Sequence, residues 1–452
     1  MDIILKKGTA TATAVTAISS KSYVHRLLIA SALCPDPICV VSNIISKDME
    51  ATVRALCCLG ASVDIRPTGG EDCFGCYIDS PVSGVKRAEI DCGESGSTAR
   101  FILPLAAYYA GRATLTGSGK LPERPMGPLC DVLMSAKVAV DGDHLPITVS
   151  GRPEAGDYEI AGNVSSQFIS GLLFLLPLLD GDSSLKIAGR LESAAYVDMT
   201  EDVLSRFDIN FEHRDGAYLS GRQTYRCTGQ SDGSGRIYMK AEGDWSNAAY
   251  IMAIGALGSG SVFDALTIDG LDPESIQGDR AAAAILKDFG SDVKIKRGED
   301  KHSSSYTISG RPCRPVDIDC TQIPDLVPAL ATLAAYADGD SIFRNIGRLR
   351  IKECDRVEAV SSMLGAVDVS VDIISDPDTG TEDMLVHGKG AGRPVSGHTV
   401  TIDSFNDHRI AMAASAIVLA EEVPVVIRGA QAVDKSYPGF FEVVSRLGIV
   451  TA

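Results

Sequence analysis

One pattern of polar and apolar positions recurs along the whole chain: a short polar or glycine-containing stretch, then a run of small apolar residues. The polar stretches lie at Ser20, Glu94, Ser165, Asp244, Pro324 and Asn406. They recur about every 70 to 80 residues, which indicates an internal repeat. Because each apolar run is Ala- and Leu-rich nearly all round a helix, it predicts a buried helix with a polar first turn.

Each repeat also contains a segment that mixes charged and apolar residues at helical spacing, which is typical of a half-exposed helix. These second helices are predicted at residues 47–59, 124–137, 197–207, 279–289, 353–364 and 440–447. Several of them end at a glycine that is followed by a strand-like run. Short strands, such as those at 113–116 and 305–309, complete the pattern. The sequence therefore predicts six α/β units.

Six units in 452 residues favour two domains of three units each, because a chain of this length is too long for one core. The polar, glycine-rich stretch at 230–243 is the predicted seam. We expect the apolar helices to bundle inside each domain, with sheets and amphipathic helices outside. Their N-termini would then emerge at one end of each domain and face a common cleft. A solenoid repeat without any site is the alternative.

The charge balance excludes several classes of partner. A formal net charge of −17 argues against nucleic acid and against anionic membranes, which both require a broad basic surface. No apolar stretch approaches the ~20 residues that span a bilayer, and the N-terminal residues lack a signal or transit pattern. We therefore expect a cytoplasmic protein.

The twelve cysteines are mostly single, which fits a reduced compartment better than a disulfide framework. Cys73 and Cys76 have the spacing of a metal or redox pair. No second pair and no histidine cluster accompanies them, so we expect a plain loop at this position and no metal site.

The predicted helix starts are unusually basic for an acidic chain. A helix N-terminus attracts anions through its free N–H groups and its partial positive charge. The starts carry Lys21, Arg26, Arg100 and Arg409, whereas a repeat without a site would favour merely solvating side chains there. The pattern predicts a site for small, highly charged anions.

Two stretches of the first half could form this site. Lys21 and Ser22 begin one helix and Arg26 follows about one turn later, although an ordinary cap with exposed basic residues fits equally well. Gly96 lies in a glycine- and hydroxyl-rich loop that enters the helix of Arg100, where the backbone could approach an anion closely. Each motif alone is weak.

Two further motifs of the first half allow two interpretations each. Arg124 precedes Pro125, which could occupy the first turn of the next helix, so Arg124 is either a rigid clamp or a surface residue. Ser165, Ser166 and Gln167 offer neutral donors at another helix start, although a serine cap is the simpler interpretation.

The second half supplies ionisable chemistry. Asp325 lies at a helix start, and its carboxylate could act as a general base for a hydroxyl. The residues of 352–356 would place a lysine, a glutamate and an arginine on about one helical turn. Arg409 repeats the basic helix start, and Lys435 stands before a proline. Singly, each would be a salt-bridged surface residue; at matched positions of a repeat they form a candidate site.

The ordered set of motifs resembles the 5-enolpyruvylshikimate-3-phosphate synthase family over the whole chain. The motifs are Ser-Lys21-Ser…Arg26, Gly-x-x-Gly-x-x-x-Arg100, Glu-Arg124-Pro, Ser-Ser-Gln167, Ile-Pro-Asp325, Ile-Lys-Glu353-x-Asp-Arg356, Asn-Asp-His-Arg409 and Lys435-x-x-Pro. The resemblance implies a two-domain inside-out α/β barrel with three βαβαββ-type units per domain. It implies one discontinuous domain of residues 1–18 plus 238–452, a second domain of 19–237, and an active site between them.

The resemblance also implies transfer of the carboxyvinyl group of phosphoenolpyruvate to the 5-hydroxyl of shikimate 3-phosphate, by addition and elimination, in chorismate and aromatic amino acid biosynthesis. No cofactor and no metal would be required, and we expect a monomer that binds only these small molecules. The implied catalytic residues are Asp325, Glu353, Lys21 and Lys435. The implied shikimate 3-phosphate contacts are Lys21, Ser22, Arg26, Ser165, Ser166, Gln167, Ser193, Tyr196, Asp325 and Lys352. The implied phosphoenolpyruvate contacts are Lys21, Gly96, Arg100, Arg124, Gln167, Arg356, Arg409 and Lys435.

Three positions depart from the common family pattern: Glu94 and Arg348 stand where asparagine is frequent, and Phe101 where proline is frequent. They bear on substrate affinity more than on reaction type. Because Gly96 is retained, we expect glyphosate to compete with phosphoenolpyruvate. Two alternatives remain: the enzyme that transfers the same group to UDP-N-acetylglucosamine, and a non-catalytic binder of phosphorylated metabolites.

Overall fold

The computed structural model describes residues 1–68, 73–231, 233, 235–300, 303–377, 380–390, 392 and 399–451. The chain forms two compact units. The terminal unit comprises Met1–Ile18 and Glu242–Ala452, and the central unit comprises Ser19–Ala241. The family resemblance implied a boundary after residue 237. In the structure the division falls after Ala241, because Ile237–Lys240 pair with residues 38–41 of the central unit.

Helices and strands alternate along the described residues. The helices are α1 Lys21–Leu33, α2 Lys47–Cys58, α3 Gly96–Tyr109, α4 Gly127–Ser135, α5 Ser166–Leu175, α6 Ala194–Ser205, α7 Trp245–Gly258, α8 Ala282–Asp288, α9 Val327–Ala334, α10 Arg356–Gly365, α11 His408–Ile417 and α12 Phe440–Arg446. The strands of the central unit and the segment before it are β1 Ile3–Lys7, β2 Ala14–Thr16, β3 Ile38–Ser42, β4 Ser62–Pro67, β5 Phe74–Ser80, β6 Val85–Asp91, β7 Ala110–Thr116, β8 Ala139–Asp141, β9 Ile147–Ser150, β10 Asp157–Ala161, β11 Ser183–Ala188, β12 Glu212–Arg214, β13 Ala217–Ser220 and β14 Ile237–Lys240. The later strands are β15 Ala265–Asp269, β16 Asp292–Lys296, β17 Ser305–Ser309, β18 Asp317–Asp319, β19 Asp340–Arg344, β20 Val371–Ser375, β21 Glu382–His387, β22 Val400–Asp403, β23 Val425–Arg428 and β24 Ile449–Thr451.

The strands of the described residues form six four-stranded sheets with one common plan. Their orders are β14-β3-β5-β4, β6-β7-β9-β8 and β10-β11-β13-β12 in the central unit, and β2-β15-β17-β16, β18-β19-β21-β20 and β22-β23-β1-β24 in the terminal unit. In each sheet the first pair is parallel and the two following pairs are antiparallel. The predicted α/β repeat of six units is confirmed.

In two of these sheets the first strand comes from a segment that is distant along the chain. Strand β2 precedes α1 along the chain but pairs with β15, which follows α7. Strand β14 precedes α7 but pairs with β3, which follows α1. The first sheet of each unit therefore contains a strand from the chain segment that leads into the other unit.

The apolar first helix of each repeat is buried, as the all-round Ala and Leu pattern predicts. All residues of α7, α9 and α11 are buried, and the three helices pack against one another in the terminal unit. In the central unit α3 packs against α5 along most of its length. This approach is close at Gly171, where a Cβ atom would collide with the carbonyl oxygen of Arg100.

Three second helices, α4, α8 and α10, begin later than predicted. Helix α8 begins at Ala282, after a 3-10 turn at Gly278–Ala281. Helix α4 begins at Gly127 instead of residue 124, because Arg124 precedes a proline and adopts an extended conformation. The proline in the first turn of α4 is therefore Pro128 and not Pro125, so that expectation was wrong. Helix α10 begins at Arg356, because the Asp355 carboxylate accepts the N–H groups of the first turn and caps the helix.

The loop predicted at Cys73 and Cys76 was also wrong, because Cys76 lies inside β5 and Cys73 lies just before this strand. The twelve cysteines are all free thiols. Within the described residues, none of the helices combines the length and the apolar character that crossing a bilayer requires.

We expect Gly171→Ala to lower the free energy of unfolding by about 1–3 kcal/mol, because the added methyl group must push α3 and α5 apart. Gly365→Ala is the matched control, since no atom lies within 4 Å of its Cβ position on α10. That substitution should be neutral or stabilising by up to about 1 kcal/mol. Urea denaturation of both variants checks the pair, and equal effects would contradict the close approach.

Candidate functional site

The first turns of three buried helices meet in the central unit. The Gln167 side chain at the start of α5 donates to Ser97 Oγ at the start of α3 over 2.9 Å. Its carbonyl oxygen accepts from Arg100 Nη1 over 2.7 Å. A weak contact of 3.5 Å from Thr98 Oγ1 to the Asp48 carbonyl oxygen links α3 to α2, whose first turn binds Lys21 of α1. The expected gathering of helix N-termini is present in this unit.

Lys21 stands at the first position of α1 and is held by a carboxylate. Its Nζ lies 2.8 Å from Asp48 Oδ2, and both side chains are largely buried, at 16% and 14% exposed. Ser22 follows in the same turn and is half-buried. The carboxylate partner holds the ammonium group at the helix start, where the backbone N–H groups add their positive potential.

Gly96 is packed between two guanidinium groups. A Cβ atom at this position would lie 2.8 Å from Arg100 Nη1 and 2.8 Å from Arg124 Nη1. Gly96 is also the first residue of α3, so the glycine, the helix N-terminus and two cations share one place. This concentration of positive charge suits an anion with several oxygens.

Arg26, in contrast, is directed into the protein. It is 2% exposed, and burial lowers the pKa of its guanidinium to about 10. It donates to Thr200 Oγ1 over 2.8 Å, to the carbonyl oxygen of Ser22 over 2.8 Å and to that of Tyr196 over 2.7 Å. Its guanidinium also lies 5.0 Å from the ring centroid of Phe101. These contacts make Arg26 a brace between α1, α3 and α6.

The remaining predicted residues of the central unit lie around this brace. Ser165 precedes α5 in an extended conformation, and Ser166 is its buried first residue. Ser193 precedes α6, is 2% exposed and adopts a left-handed conformation with φ of 54°. Such a backbone is costly for serine, so the surrounding structure must hold it in place. Tyr196 lies in the first turn of α6.

In the terminal unit the carboxylate of Asp325 is surrounded by three cations. Its Oδ1 lies 2.8 Å from Arg356 Nη1 and 3.5 Å from Lys352 Nζ. Its Oδ2 lies 3.1 Å from Arg409 Nη2 at the start of α11. The side chain is 13% exposed, so it still reaches solvent. Asp325 belongs to a 3-10 turn, Pro324–Leu326, that leads into α9.

One guanidinium connects three carboxylates in this cluster. Arg356 is 1% exposed; its Nη1 binds Asp325, its Nη2 binds Glu353 over 2.6 Å and its Nε binds Asp407 over 2.7 Å. Burial alone would lower the pKa of this guanidinium, but the three carboxylates raise it well above the ordinary value. Since two adjacent nitrogens of one rigid plane bind Asp325 and Glu353, the two carboxylates are held side by side.

Lys352 and Glu353 lie in the bend before α10 and not on its first turn, so the expected single helical turn was wrong. Lys352 is largely buried, at 19% exposed. Burial lowers the pKa of its ammonium group to about 8, opposed by Asp325 and reinforced by Arg348 and Arg356.

Lys435 ends a 3-10 turn, Ala430–Lys435, and its Nζ donates to the carbonyl oxygen of Asn406 over 2.6 Å. Asn406 immediately precedes Asp407, which caps α11 by accepting from the N–H of Arg409 over 2.8 Å. Lys435 and Arg409 are thus both tied to the start of α11.

Sequence reasoning missed the buried acids that support these cations. Asp48 and Asp407 hold Lys21 and Arg356, and Asp279 is a buried carboxyl that accepts from Ser246. Burial raises the pKa of Asp279 to about 6, with Asp325 adding to the rise. Each stands in the first turn or cap of a predicted helix, where an acid is ordinarily a capping residue. Nothing in the local pattern marks them as buried.

The two clusters differ in the chemistry they can perform. The central unit offers helix N-termini with Lys21, Arg100 and Arg124, which suits binding of anionic groups. The terminal unit offers two carboxylates among cations, which can move protons and stabilise negative charge. No three His, Cys, Asp or Glu side chains of the described residues are grouped to hold a metal ion.

Comparison with known families gives one consistent match. The family model described as EPSP synthase (3-phosphoshikimate 1-carboxyvinyltransferase) matches residues 5–444. A 3-phosphoshikimate 1-carboxyvinyltransferase of Clostridium kluyveri is 39% identical over 436 residues, covering 95% of this chain and 93% of the relative. One of Methanocaldococcus jannaschii is 31% identical over 458 residues, covering 99% and 98%.

Solved structures share the fold at lower identity. An EPSP synthase from Acinetobacter baumannii has a TM-score of 0.74 at 22% identity and covers 100% of this chain and 99% of its own. The enolpyruvyl transferase NikO from Streptomyces tendae has a TM-score of 0.71 at 17% identity, with the same coverage. These two likenesses support the two-domain, inside-out α/β architecture.

Arg356→Met should lower the free energy of unfolding by about 3–5 kcal/mol, because it leaves the fully buried carboxylate of Asp407 without its cation. Arg344→Met is the control, since the Arg344–Asp317 pair lies at the surface and its loss should have little effect. Urea denaturation measures both variants. A small loss in Arg356→Met would show that the three carboxylates do not depend on this guanidinium.

Proposed function

The chain belongs to the EPSP synthase family, and we propose that the two clusters described above supply the binding groups and the acid–base groups of that family's reaction. The protein is an enzyme, a 3-phosphoshikimate 1-carboxyvinyltransferase of the shikimate pathway. It transfers the enolpyruvyl group of phosphoenolpyruvate to shikimate 3-phosphate and releases phosphate. The pathway leads to chorismate and the aromatic amino acids.

The substrates explain why an acidic protein concentrates cations at helix starts. Shikimate 3-phosphate and phosphoenolpyruvate each carry a phosphate and a carboxylate. We assign shikimate 3-phosphate to Lys21, Ser22, Arg26, Ser165, Ser166, Gln167, Ser193, Tyr196, Asp325 and Lys352. We assign phosphoenolpyruvate to Lys21, Gly96, Arg100, Arg124, Gln167, Arg356, Arg409 and Lys435.

The burial of Arg26 and Arg356 refines these two assignments. Arg26 donates to two carbonyl oxygens and a hydroxyl, and Arg356 binds three carboxylates. Because their donors are engaged by the protein, we propose that they mainly hold other groups in place. Arg100 and Arg124, which lie on either side of Gly96 at the start of α3, would then contribute direct attraction for the anions.

Acid–base catalysis is assigned to the pair that Arg356 aligns. In the addition step Asp325 removes the proton from the 5-hydroxyl while that oxygen bonds to C2 of phosphoenolpyruvate, and Glu353 protonates the methylene carbon. In the elimination step the methyl group returns a proton, the C2–O bond to the phosphate breaks, and phosphate leaves. Lys21 and Lys435 stabilise negative charge or share a proton transfer.

The binding of both carboxylates to one guanidinium group supports this assignment. A base and an acid must act on two atoms attached to the same carbon, C2: the 5-oxygen and the methylene carbon. Arg356 places Asp325 and Glu353 on adjacent nitrogens, at 2.8 Å and 2.6 Å. Such preorganisation avoids a rearrangement of charge during the reaction.

Several finer assignments rest on the family alone. We propose that the protein acts as a cytoplasmic monomer without a metal or organic cofactor. Glyphosate is proposed as a competitor of phosphoenolpyruvate, because Gly96 is retained and keeps a side chain out of the narrow space between Arg100 and Arg124. Absence of inhibition at millimolar glyphosate would contradict this.

Phosphate release tests the reaction directly. The purified protein should release phosphate from phosphoenolpyruvate when shikimate 3-phosphate is the acceptor, and should do so far more slowly with UDP-N-acetylglucosamine. Faster turnover of the nucleotide sugar would favour the sister transferase. Binding of shikimate 3-phosphate without any phosphate release would favour the non-catalytic alternative.

Asp325→Ala and Glu353→Ala should each lower kcat by about 10²-fold or more, because each removes a proton-transfer group. Glu358→Ala is the matched control, an exposed carboxylate in the same helix as Arg356, and should retain its turnover. Affinity for shikimate 3-phosphate, measured by calorimetry, should fall much less than kcat. Near-normal turnover in both variants would overturn the acid–base assignment.

A further inference from the structure

We propose that Thr52 is a positioning residue for substrate binding: it joins His25 and Thr98 in a buried hydroxyl chain that fixes the first turns of α1, α2 and α3 relative to one another. This inference rests on the proposed function, because it concerns the residues assigned to the anionic substrates. Thr52 itself is fully buried and touches no substrate in this account.

Two rungs connect α1 to α2, one helical turn apart on each helix. The upper rung is the ion pair of Lys21 with Asp48, at 2.8 Å. The lower rung is the hydrogen bond between His25 Nδ1 and Thr52 Oγ1, at 2.7 Å. Since His25 lies four residues after Lys21 and Thr52 four residues after Asp48, the rungs are stacked along both helices. Two stacked rungs prevent the helices from sliding or turning against each other.

The lower rung continues to the helix that carries Gly96 and Arg100. Thr52 Oγ1 lies 2.7 Å from Thr98 Oγ1, and Thr98 Oγ1 donates to Ser95 Oγ over 2.8 Å. Ser95 caps α3, and Thr98 lies midway between Gly96 and Arg100 in the sequence. The helix of Lys21 and the helix of Arg100 are therefore connected through one chain of hydroxyl groups.

The chain has one consistent direction of donation. The Thr98 hydroxyl donates away from Thr52, to Ser95 Oγ or to the carbonyl oxygen of Asp48. Thr52 then donates to Thr98 and accepts from His25, so that each hydroxyl proton has one acceptor. A proton on His25 Nδ1 fits this direction, because the buried Nε2 has no hydrogen-bond partner among the described residues and an N–H group there would be unsatisfied. Burial, with Lys21 and Arg26 nearby, lowers the pKa of His25 well below 6.5, so the ring is neutral.

The side chains that form this hydroxyl chain are all fully buried, and their burial makes the arrangement rigid. His25, Thr52, Ser95 and Thr98 are each 0% exposed, so water cannot replace a lost partner. Removal of the central hydroxyl leaves the His25 N–H without an acceptor and Thr98 without a donor. The first turns must then shift to satisfy these groups, and shifts of this kind weaken contacts that depend on sub-ångström placement.

Thr52→Val tests this, because valine has the shape of threonine without the hydroxyl group. We expect KM for phosphoenolpyruvate and Kd for shikimate 3-phosphate to rise about tenfold, with kcat changed much less. Thr52→Ser retains the hydroxyl and should keep both constants within about twofold of the original. Thr98→Val breaks the same chain one hydroxyl later and should reproduce the pattern, which provides the test if Thr52→Val does not fold.

Thr332→Val is the matched control. Thr332 is also fully buried in a helix, but its hydroxyl donates to its own helix at Pro328 over 2.9 Å. The Thr332→Val variant should be less stable than the original protein, with no change in KM or Kd. If Thr52→Val and Thr98→Val likewise change only the free energy of unfolding, the chain is merely structural and the proposal is wrong.

Failure of this proposal can be distinguished from failure of the proposed function. If the unsubstituted protein releases no phosphate, the proposed function is wrong, but the affinities of Thr52→Val and Thr52→Ser for shikimate 3-phosphate can still be compared by calorimetry. Normal turnover with unchanged binding in Thr52→Val and Thr98→Val would contradict the positioning role alone.

Discussion

The free N–H groups at the start of a buried helix are the constraint on which the rest of this structure depends. Six repeats each bury an apolar helix, so the polar first turns must be satisfied at the edge of the core. In the central unit the residues before α1, α3 and α5 are the neutral serines Ser20, Ser95 and Ser165. In the terminal unit the caps of α7 and α11 are Asp244 and Asp407.

This difference divides the work between the units. Neutral caps preserve the positive potential of the helix start for a ligand, whereas aspartate caps offset it with the protein's own charge. The terminal unit therefore builds its site from paired charges. Its central element is Arg356, which organises Asp325 and Glu353 and is itself balanced by Asp407. One fold repeat thus supports both anion recognition and proton transfer.

Much of the fold could be predicted from the sequence, because an all-round Ala and Leu pattern has few uses other than a buried helix. The repeat, the α/β class and the six buried helices follow from it. The pairing of β2 with β15 and of β14 with β3 leaves no local pattern, because the partners are distant in sequence. Only the family resemblance implied that residues 1–18 belong with the later part of the chain. The sequence predicts a start of α4 at Arg124, but the helix begins at Gly127, because Arg124 precedes Pro125 and adopts an extended conformation.

The sequence indicated which residue types form the candidate site, but not the directions in which their side chains point. Cations at helix starts indicated anions, yet the sequence does not show which cations are compensated by buried acids. Arg356 therefore resembles any other basic residue near a helix start, although Asp325, Glu353 and Asp407 compensate its charge. Arg26 is likewise held inside the protein, by a hydroxyl group and two carbonyl oxygens. The supporting acids Asp48 and Asp279 were missed because an acid in a first turn is ordinarily a cap.

A crystal structure of Asp325→Ala with shikimate 3-phosphate and phosphoenolpyruvate tests the central claim most directly, since this variant should bind both substrates with little turnover. The account predicts phosphate and carboxylate groups at the first turns of α1, α3 and α5, in contact with Lys21, Arg100 and Arg124. It also predicts the 5-hydroxyl directed at position 325, beside Glu353. Substrate density away from these helix starts, or a 5-hydroxyl remote from position 325, would contradict it.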